Sequence, residues 1–393
     1  MTRKPGDLPY KQYTGGMMAK STALSWGFFL FLFKEEDELM LLEKTVREIG
    51  GLDQKAMEKA RERVDNLLKP PGSLGRLEEL AVQLAGIQGR PIPEIKSKSV
   101  ILMAGDHGVV SEGVSIASQE VTGLMVSAIA GGVSGVSVLA RLAGARLVVV
   151  DVGVAGKVDV PGVLDYKVRE GTANISTGPA MSREEAVKAL EAGIAVAVKE
   201  IEEGADLLAT GDMGIGNTTP SSAILSLMVG ITPEEATGRG TMVNDEVMKR
   251  KVMAVKKAIE INRPDPADGI DILSKVGGLE IGGLAGVILG AASRRAPVII
   301  DGFISTAAAM IACAIAPEAR SFIIPSHLSG EQGHSLMLER LGMKPMLLMD
   351  MRLGEGTGAA LAMHLVEAAC RIASEMASFQ QAGVDLDEDK ILK

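Results

Sequence analysis

The chain has 393 residues, 47% hydrophobic and 23% charged, which suits a globular protein of two or three domains at roughly 150 residues each, or one large α/β domain with additions. Its 50 acidic and 41 basic residues give a formal charge of -9; proteins that live on phosphate-backbone contacts carry the opposite sign or a basic block, so general nucleic-acid binding is excluded. Cys313 and Cys370 are the only cysteines and the histidines number 4, which excludes a disulfide scaffold and a zinc site and makes a reducing cytoplasm the natural compartment.

The first 33 residues hold Tyr10, Tyr13, Trp26, Phe28, Phe29, Phe31 and Phe33, while the rest of the chain keeps only Tyr166, Phe303, Phe322 and Phe379. This break marks residues 1–45 as an extension foreign to the main fold. The apolar run Ala23–Phe33 covers about half the ~20 residues that a membrane-crossing helix needs. One reading is a weak membrane or partner anchor. The preferred one is a disordered or mis-started extension, with initiation at Met17, Met18 or Met40.

From Asp53 the pattern becomes regular. Met57, Ala60, Val64, Leu67 and Leu68 recur at helical spacing, and the helix stops at Lys69-Pro70-Pro71-Gly72. A second helix runs from Arg76 to Ile87, with Ser73 as its candidate N-cap. Short apolar runs follow at Val100–Ala104, Leu147–Asp151, Leu207–Thr210, Pro297–Asp301, Phe322–Pro325 and Pro345–Asp350. They read as strands buried on both faces. Helical stretches at 120–130, 182–203, 245–262, 280–295, 304–315 and 356–377 lie between and after them. The alternation predicts a doubly wound, mostly parallel sheet.

Glycine and small polar residues cluster where these strands end, as in Gly105-Asp106-His107-Gly108, Gly211-Asp212-Met213-Gly214 and Gly354-Glu355-Gly356. Ligands of open α/β sheets bind at that edge, against helix N-termini, so a site for an anionic small molecule is expected there. The run Gly211 to Thr219 imitates a P-loop, but Asn217 stands where the lysine must be, so an ATPase is excluded. Gly354-Glu355-Gly356-Thr357-Gly358 misses the G-x-G-x-x-G spacing, which removes an NAD-linked oxidoreductase. Glu355, after an apolar strand, is a candidate general base because desolvation raises a carboxyl's pKa; an ordinary helix-start acid is the plainer alternative. His107, His327 and His334 fit no ligand or triad spacing and read as structural.

Lys69 to Glu78, Ala104 to Val109, Gly171 to Ile175, Gly211 to Thr219, Lys275 to Glu280 and Arg352 to Gly358 occur in this order. In these motifs the chain, from about residue 50 to 378, resembles the nicotinate-nucleotide–dimethylbenzimidazole phosphoribosyltransferase family, which makes the lower-ligand nucleotide of cobalamin. The resemblance implies an α/β fold with a large Rossmann-like domain at 97–350. A smaller helical domain is then built from both chain ends, 50–90 and 351–393, and the protein works as a homodimer. It implies transfer of 5-phosphoribose from nicotinate mononucleotide to 5,6-dimethylbenzimidazole, with no metal or organic cofactor, no nucleic acid and no membrane in the core. A non-catalytic nucleotide sensor with the same fold is the alternative.

Carried over residue by residue, the resemblance makes Glu355 the base. Asp212 becomes a second carboxylate where the family usually has Glu. Gly214, Lys251 and Ser329 fall at phosphate-holding positions, with Gly216 and Asn217 in the same glycine loop and Leu353 in the catalytic motif. Ser118 matches a serine of the base pocket, and Met125 replaces a glutamine that some members use there.

Overall fold

The computed structural model describes residues 40–240 and 244–384; the extension expected at 1–45 lies outside the described residues up to 39. Its last residues are not foreign to the fold, because helix α1 (Leu41–Glu48) buries Leu42 in the main core and Leu42 N donates to Glu191. Six parallel strands form the main sheet: β1 (Lys98–Gly105), β2 (Arg146–Gly153), β3 (Val163–Asp165), β4 (Leu207–Met213), β5 (Val298–Ile300) and β6 (Ile323–Pro325). Their spatial order is β3-β2-β1-β4-β5-β6. The chain lays down β1, β2 and β3 outward, then returns to continue on the other side of β1. The winding reverses between β1 and β4, and a crevice opens there beyond the carboxyl ends of the strands.

Both faces of the sheet are covered, which is why β1 and β4 are continuous apolar runs. Ile101, Leu102, Met103, Leu207, Leu208 and Ala209 have no exposed surface. One layer holds helix α6 (Arg183–Glu202), opened by a capping box between Ser182 and Glu185, and α11 (Leu279–Ser293), which is apolar all round and buried over nearly its whole length. The other layer holds α4 (Glu120–Ala130), α5 (Gly135–Ala143) and α14 (Thr357–Glu375). Together α4 and α5 span an apolar segment, Glu120–Ala143, long enough to cross a bilayer by composition. Gly131–Ser134 breaks it into two helices, and the Ser134 hydroxyl accepts from Ser137 N to cap the second.

The two chain ends meet. Arg63, on α2 (Gln54–Asp65), donates to Ala373 O and Met376 O of the last helix at 3.2 and 2.7 Å. Leu68 N reaches Ala377 O, and Phe379 N reaches Asn66 O. Between α2 and α3 (Arg76–Gln88), the Glu78 carboxylate accepts from Gly72 N and Leu74 N and pairs with Lys69 at 2.8 Å. One acid thus ties the Pro-Pro-Gly turn, and Gly75, not Ser73, is the N-cap of α3.

Pro345–Asp350 is not a strand of the main sheet. Only Leu347–Leu348 (β8) is extended, and it pairs with His327–Leu328 (β7) in a separate ladder. Leu348 is 77% exposed, so this apolar run lies at the surface instead of filling the sheet's core. The sixth strand is β3 at the opposite edge, whose three half-exposed or exposed residues show no burial pattern.

Candidate active site

A cavity of about 320 Å³ opens beyond the ends of β1 and β4. A smaller chamber of about 90 Å³ adjoins it, and both are lined by Asp212, Asn217, Thr218, Gly240 and Leu353. Val114, Ile116, Val121, Met125 and Ile215 make the first chamber apolar. His327, Ser329 and Glu331 make the second polar. A larger hollow of about 450 Å³ between α2 and α3 holds none of the expected catalytic groups.

Glu355 sits on the wall of the apolar chamber in an unusual backbone state. Its φ is +63°, and Gly354 and Gly356 on either side have φ of +85° and +91°. Glycine adopts this region freely, but a residue with a Cβ is strained there by about 1–3 kcal/mol. β4 is pressed against the turn, since a Cβ on Gly211 would lie 2.3 Å from Glu355 O. The Glu355 carboxylate is buried, and its Oε2 has no hydrogen-bond partner. Burial pushes its pKa above the usual carboxylate range, the Val136 N–H pulls it back, and the charge of Asp301 adds to the rise.

Asp212 ends β4 beside it and accepts from Asn217 Nδ2 at 2.9 Å. Burial, then the charges of Asp301 and Glu280, hold it well above the ordinary aspartate value; the Asn217 amide opposes this and Glu355 adds to it. Gly214 and Gly216 follow, leading through Asn217 into α7 (Thr218–Val229). A Cβ on Gly214 would lie 2.3 Å from Gly105 O, so only glycine lets this loop lie across the end of β1.

Lys251 comes from α9 (Asp245–Asn262) and is fully buried. Its Nζ donates to Thr218 Oγ1 at 3.0 Å and Gly238 O at 2.9 Å, at the start of the loop's helix. Burial lowers its pKa to about 8, while Glu331 pulls it upward. A buried ammonium at a helix N-terminus is a ready anion site. Ser329 lines the second chamber. His334 fixes it from behind by accepting Ser329 N–H at Nδ1 and contacting Thr306 Oγ1 through Nε2, both at 2.8 Å.

Of the expected residues, Glu355, Asp212, Gly214, Gly216, Asn217, Lys251 and Leu353 converge on the cavity, and Ser329 on the adjoining chamber. Ser118 is exposed and outside the lining; Ser115, three residues earlier, stands there instead. Reading from sequence missed the supporting acids. Asp301, at the end of β5, accepts from Gly356 N and Ala359 N. His107 and Glu280 form a buried contact of 2.8 Å under the Gly214 loop. Burial opposes charge on His107, but the Glu280 charge and hydrogen bond, with Asp106, raise its pKa overall. Among the described residues, no group of three His, Cys, Asp or Glu side chains is placed to hold a metal.

A family described as phosphoribosyltransferase matches residues 49–384. The chain belongs to that family. A nicotinate-nucleotide–dimethylbenzimidazole phosphoribosyltransferase of Desulforamulus reducens is 53% identical over 348 residues, covering 88% of this chain and 99% of the relative. One from Dehalococcoides mccartyi is 54% identical over 345 residues, with 88% and 98% covered. The solved enzyme of the same name from Thermus thermophilus is 46% identical, covers 85% of this chain and 99% of its own, and superposes with a TM-score of 0.80. The chain is thus a phosphoribosyltransferase enzyme of the Rossmann-like α/β class, and the non-catalytic sensor is set aside.

Proposed function

We propose that this phosphoribosyltransferase moves 5-phosphoribose from nicotinate mononucleotide to 5,6-dimethylbenzimidazole, giving α-ribazole 5′-phosphate and nicotinate. The observation that carries the reading is the buried, unpartnered Glu355 oxygen on the wall of an apolar chamber that adjoins a polar one. The flat base fits the apolar chamber with its N–H toward Glu355. Its other nitrogen attacks C1′, the bond from C1′ to the pyridinium nitrogen breaks, and the benzimidazole proton passes to the carboxylate. Nicotinate leaves as a neutral ring bearing its own carboxylate, so no general acid is needed. Raised by burial, Glu355 is a stronger base than a surface carboxylate.

Lys251, Ser329 and the Gly214–Asn217 loop hold the phosphoribosyl end, Leu353 covers the junction of the chambers, and Asp212 faces the reacting ring as the second carboxylate. Relatives that carry this substrate pair in their names support the assignment. The test is direct: with both substrates present, nicotinate and α-ribazole phosphate form in equal amounts, and absence of turnover refutes it. We further infer a cytoplasmic homodimer in which the helices of 50–90 and of the segment expected at 351–393, whose residues 385–393 lie outside the described ones, form a small domain on the 97–350 body. Exposed Leu124, Val133, Val138 and Leu142 on the Glu120–Ala143 segment support self-association, and sedimentation measures it.

A further inference from the structure

Asp301 lines neither chamber, yet it is bound into the wall from behind, next to Gly302 and 3.9 Å from His327. Its side chain has no exposed surface, and it lies at the carboxyl end of β5, directly beneath the turn that carries Glu355. One carboxylate oxygen accepts from Gly356 N at 3.1 Å and the other from Ala359 N at 2.9 Å. These N–H groups belong to the first turn of α14, which would otherwise have no internal partner for them. Glu355 is the residue just before this gripped turn, and it is a side-chain-bearing residue held at φ +63°. Such strain persists only where the surroundings over-determine it. Ser326 completes the support: its hydroxyl donates to Asp301 O and contacts His327 Nδ1, which stands 3.9 Å from the Asp301 carboxylate.

We propose that Asp301 is the positioning residue of the catalytic loop, clamping the start of α14 so that Glu355 keeps the left-handed conformation that aims its carboxylate into the apolar chamber. His327 is the group that favours the clamp's ionised, accepting form. The proposal rests on the reading of Glu355 as the base. The two roles are separable because Asp301 acts on Glu355 by geometry and by charge. The charged groups that face this pair are Asp212 from β4, which in turn feels Glu280 from the start of α11, and His327 from β7; α5 contributes the Val136 N–H. Burial raises the Asp301 pKa, His327 and the N–H groups of Ala359, Gly356 and Gly358 oppose that, and the Asp301 charge in turn raises Glu355.

The test compares Asp301→Asn, Glu355→Gln and the double variant by kcat, nucleotide KM and the pH dependence of kcat. In Asp301→Asn an amide faces N–H groups that need an acceptor, so the loop loosens, and kcat falls about 10²-fold, the scale of a misplaced catalytic group. The nucleotide KM stays put, because the phosphate groups lie elsewhere. With the neighbouring negative charge gone, the acid limb of the profile moves to lower pH, which a purely structural role would not produce. Adding Asp301→Asn to Glu355→Gln costs little more, since both act through one group. Should Asp301→Asn not fold, His327→Asn carries the test: it leaves the hydrogen bonds from Gly356 N and Ala359 N in place, eases protonation of Asp301 and so withdraws its charge from Glu355, and moves the acid limb to lower pH as Asp301→Asn does. A wild-type kcat and acid limb in Asp301→Asn, a full additive loss in the double variant, or an unmoved limb in His327→Asn overturns the proposal. Unchanged turnover in Glu355→Gln overturns the base reading instead, and the clamp's purpose with it.

Discussion

Glu355→Gln tests the chemistry with the least disturbance to the fold, since the amide has the size and shape of the acid. The carboxylate has one N–H neighbour, from Val136, and one oxygen with no partner. The substitution therefore removes the proton acceptor while leaving packing intact. Removing a positioned base costs about 10²–10⁴-fold in rate, or roughly 3–5 kcal/mol of barrier. The assay is nicotinate release at saturating nucleotide and base across pH 4–9, with nucleotide affinity measured separately by calorimetry. Wild type shows an ascending limb above the usual carboxylate range, and the Gln variant lacks it while binding the nucleotide normally. Stability supplies a second reading. The folded pKa of Glu355 lies above the unfolded one, so the wild type loses stability as pH rises through the folded value. Above that pH the Gln variant unfolds at a temperature equal to or higher than wild type. Near-normal turnover with the same limb refutes the argument and leaves Asp212 as the carboxylate to test.

Lys251→Ala weakens nucleotide binding by about 1.5–3 kcal/mol, as for a lost charge-assisted contact; in wild type the affinity itself declines as pH rises through about 8, where Lys251 loses its proton, and a titration series by calorimetry checks both. Gly211→Ala drives a methyl toward Glu355 O, 2.3 Å from an ideal Cβ, so it costs about 1–3 kcal/mol of stability and lowers kcat, read by denaturant unfolding and steady-state assay. His334, neutral in the fold with a pKa of about 3 against an ordinary 6.5, makes the protein lose stability as pH falls through that window; His334→Asn flattens the loss in acid unfolding curves. A chain starting at Met40 keeps folding and activity, because the family match begins at residue 49; loss of folded protein on that truncation contradicts it.

The sheet was legible because strands buried on both faces are written as unbroken apolar runs, as in Val100–Ala104 and Leu207–Thr210. Where that rule lapses, reading from sequence lapses too. β3 is short, lies at the edge and is half exposed, while Pro345–Asp350 is apolar yet lies at the surface and pairs outside the main sheet. Glu355 and the glycine loop could be found because they break local preference in plain sight, an acid between two glycines and a helix start without its lysine. Asp301 and Glu280 were not. Asp301 closes an apolar run and Glu280 stands within one, and each becomes an acid of the site only through contacts with chain 55–58 residues away, or 173 away for Glu280 and His107. Ser118 lies outside the cavity lining for the converse reason. The loop before α4 has no periodic pattern to fix its register, and three residues separate Ser118 from the serine that lines the cavity.

The features that equip this site are all unfavourable to the fold taken singly. Glu355 is strained in its backbone and short of a partner; Asp212 is a carboxyl kept from water beside other acids; Lys251 is an ammonium buried until its pKa falls to about 8. A strained or desolvated group of this kind costs a few kcal/mol and survives only where rigid surroundings hold it. Here they are the carboxyl ends of β1, β4 and β5, packed so closely that Gly211 and Gly214 have no room for a methyl. In the proposed reaction the substrates relieve the same costs, with a phosphate as counter-charge to Lys251 and a benzimidazole N–H as partner to the Glu355 oxygen. On that reading binding energy is spent where the reaction needs it, on aligning a carboxylate that the fold holds rigid but unsatisfied.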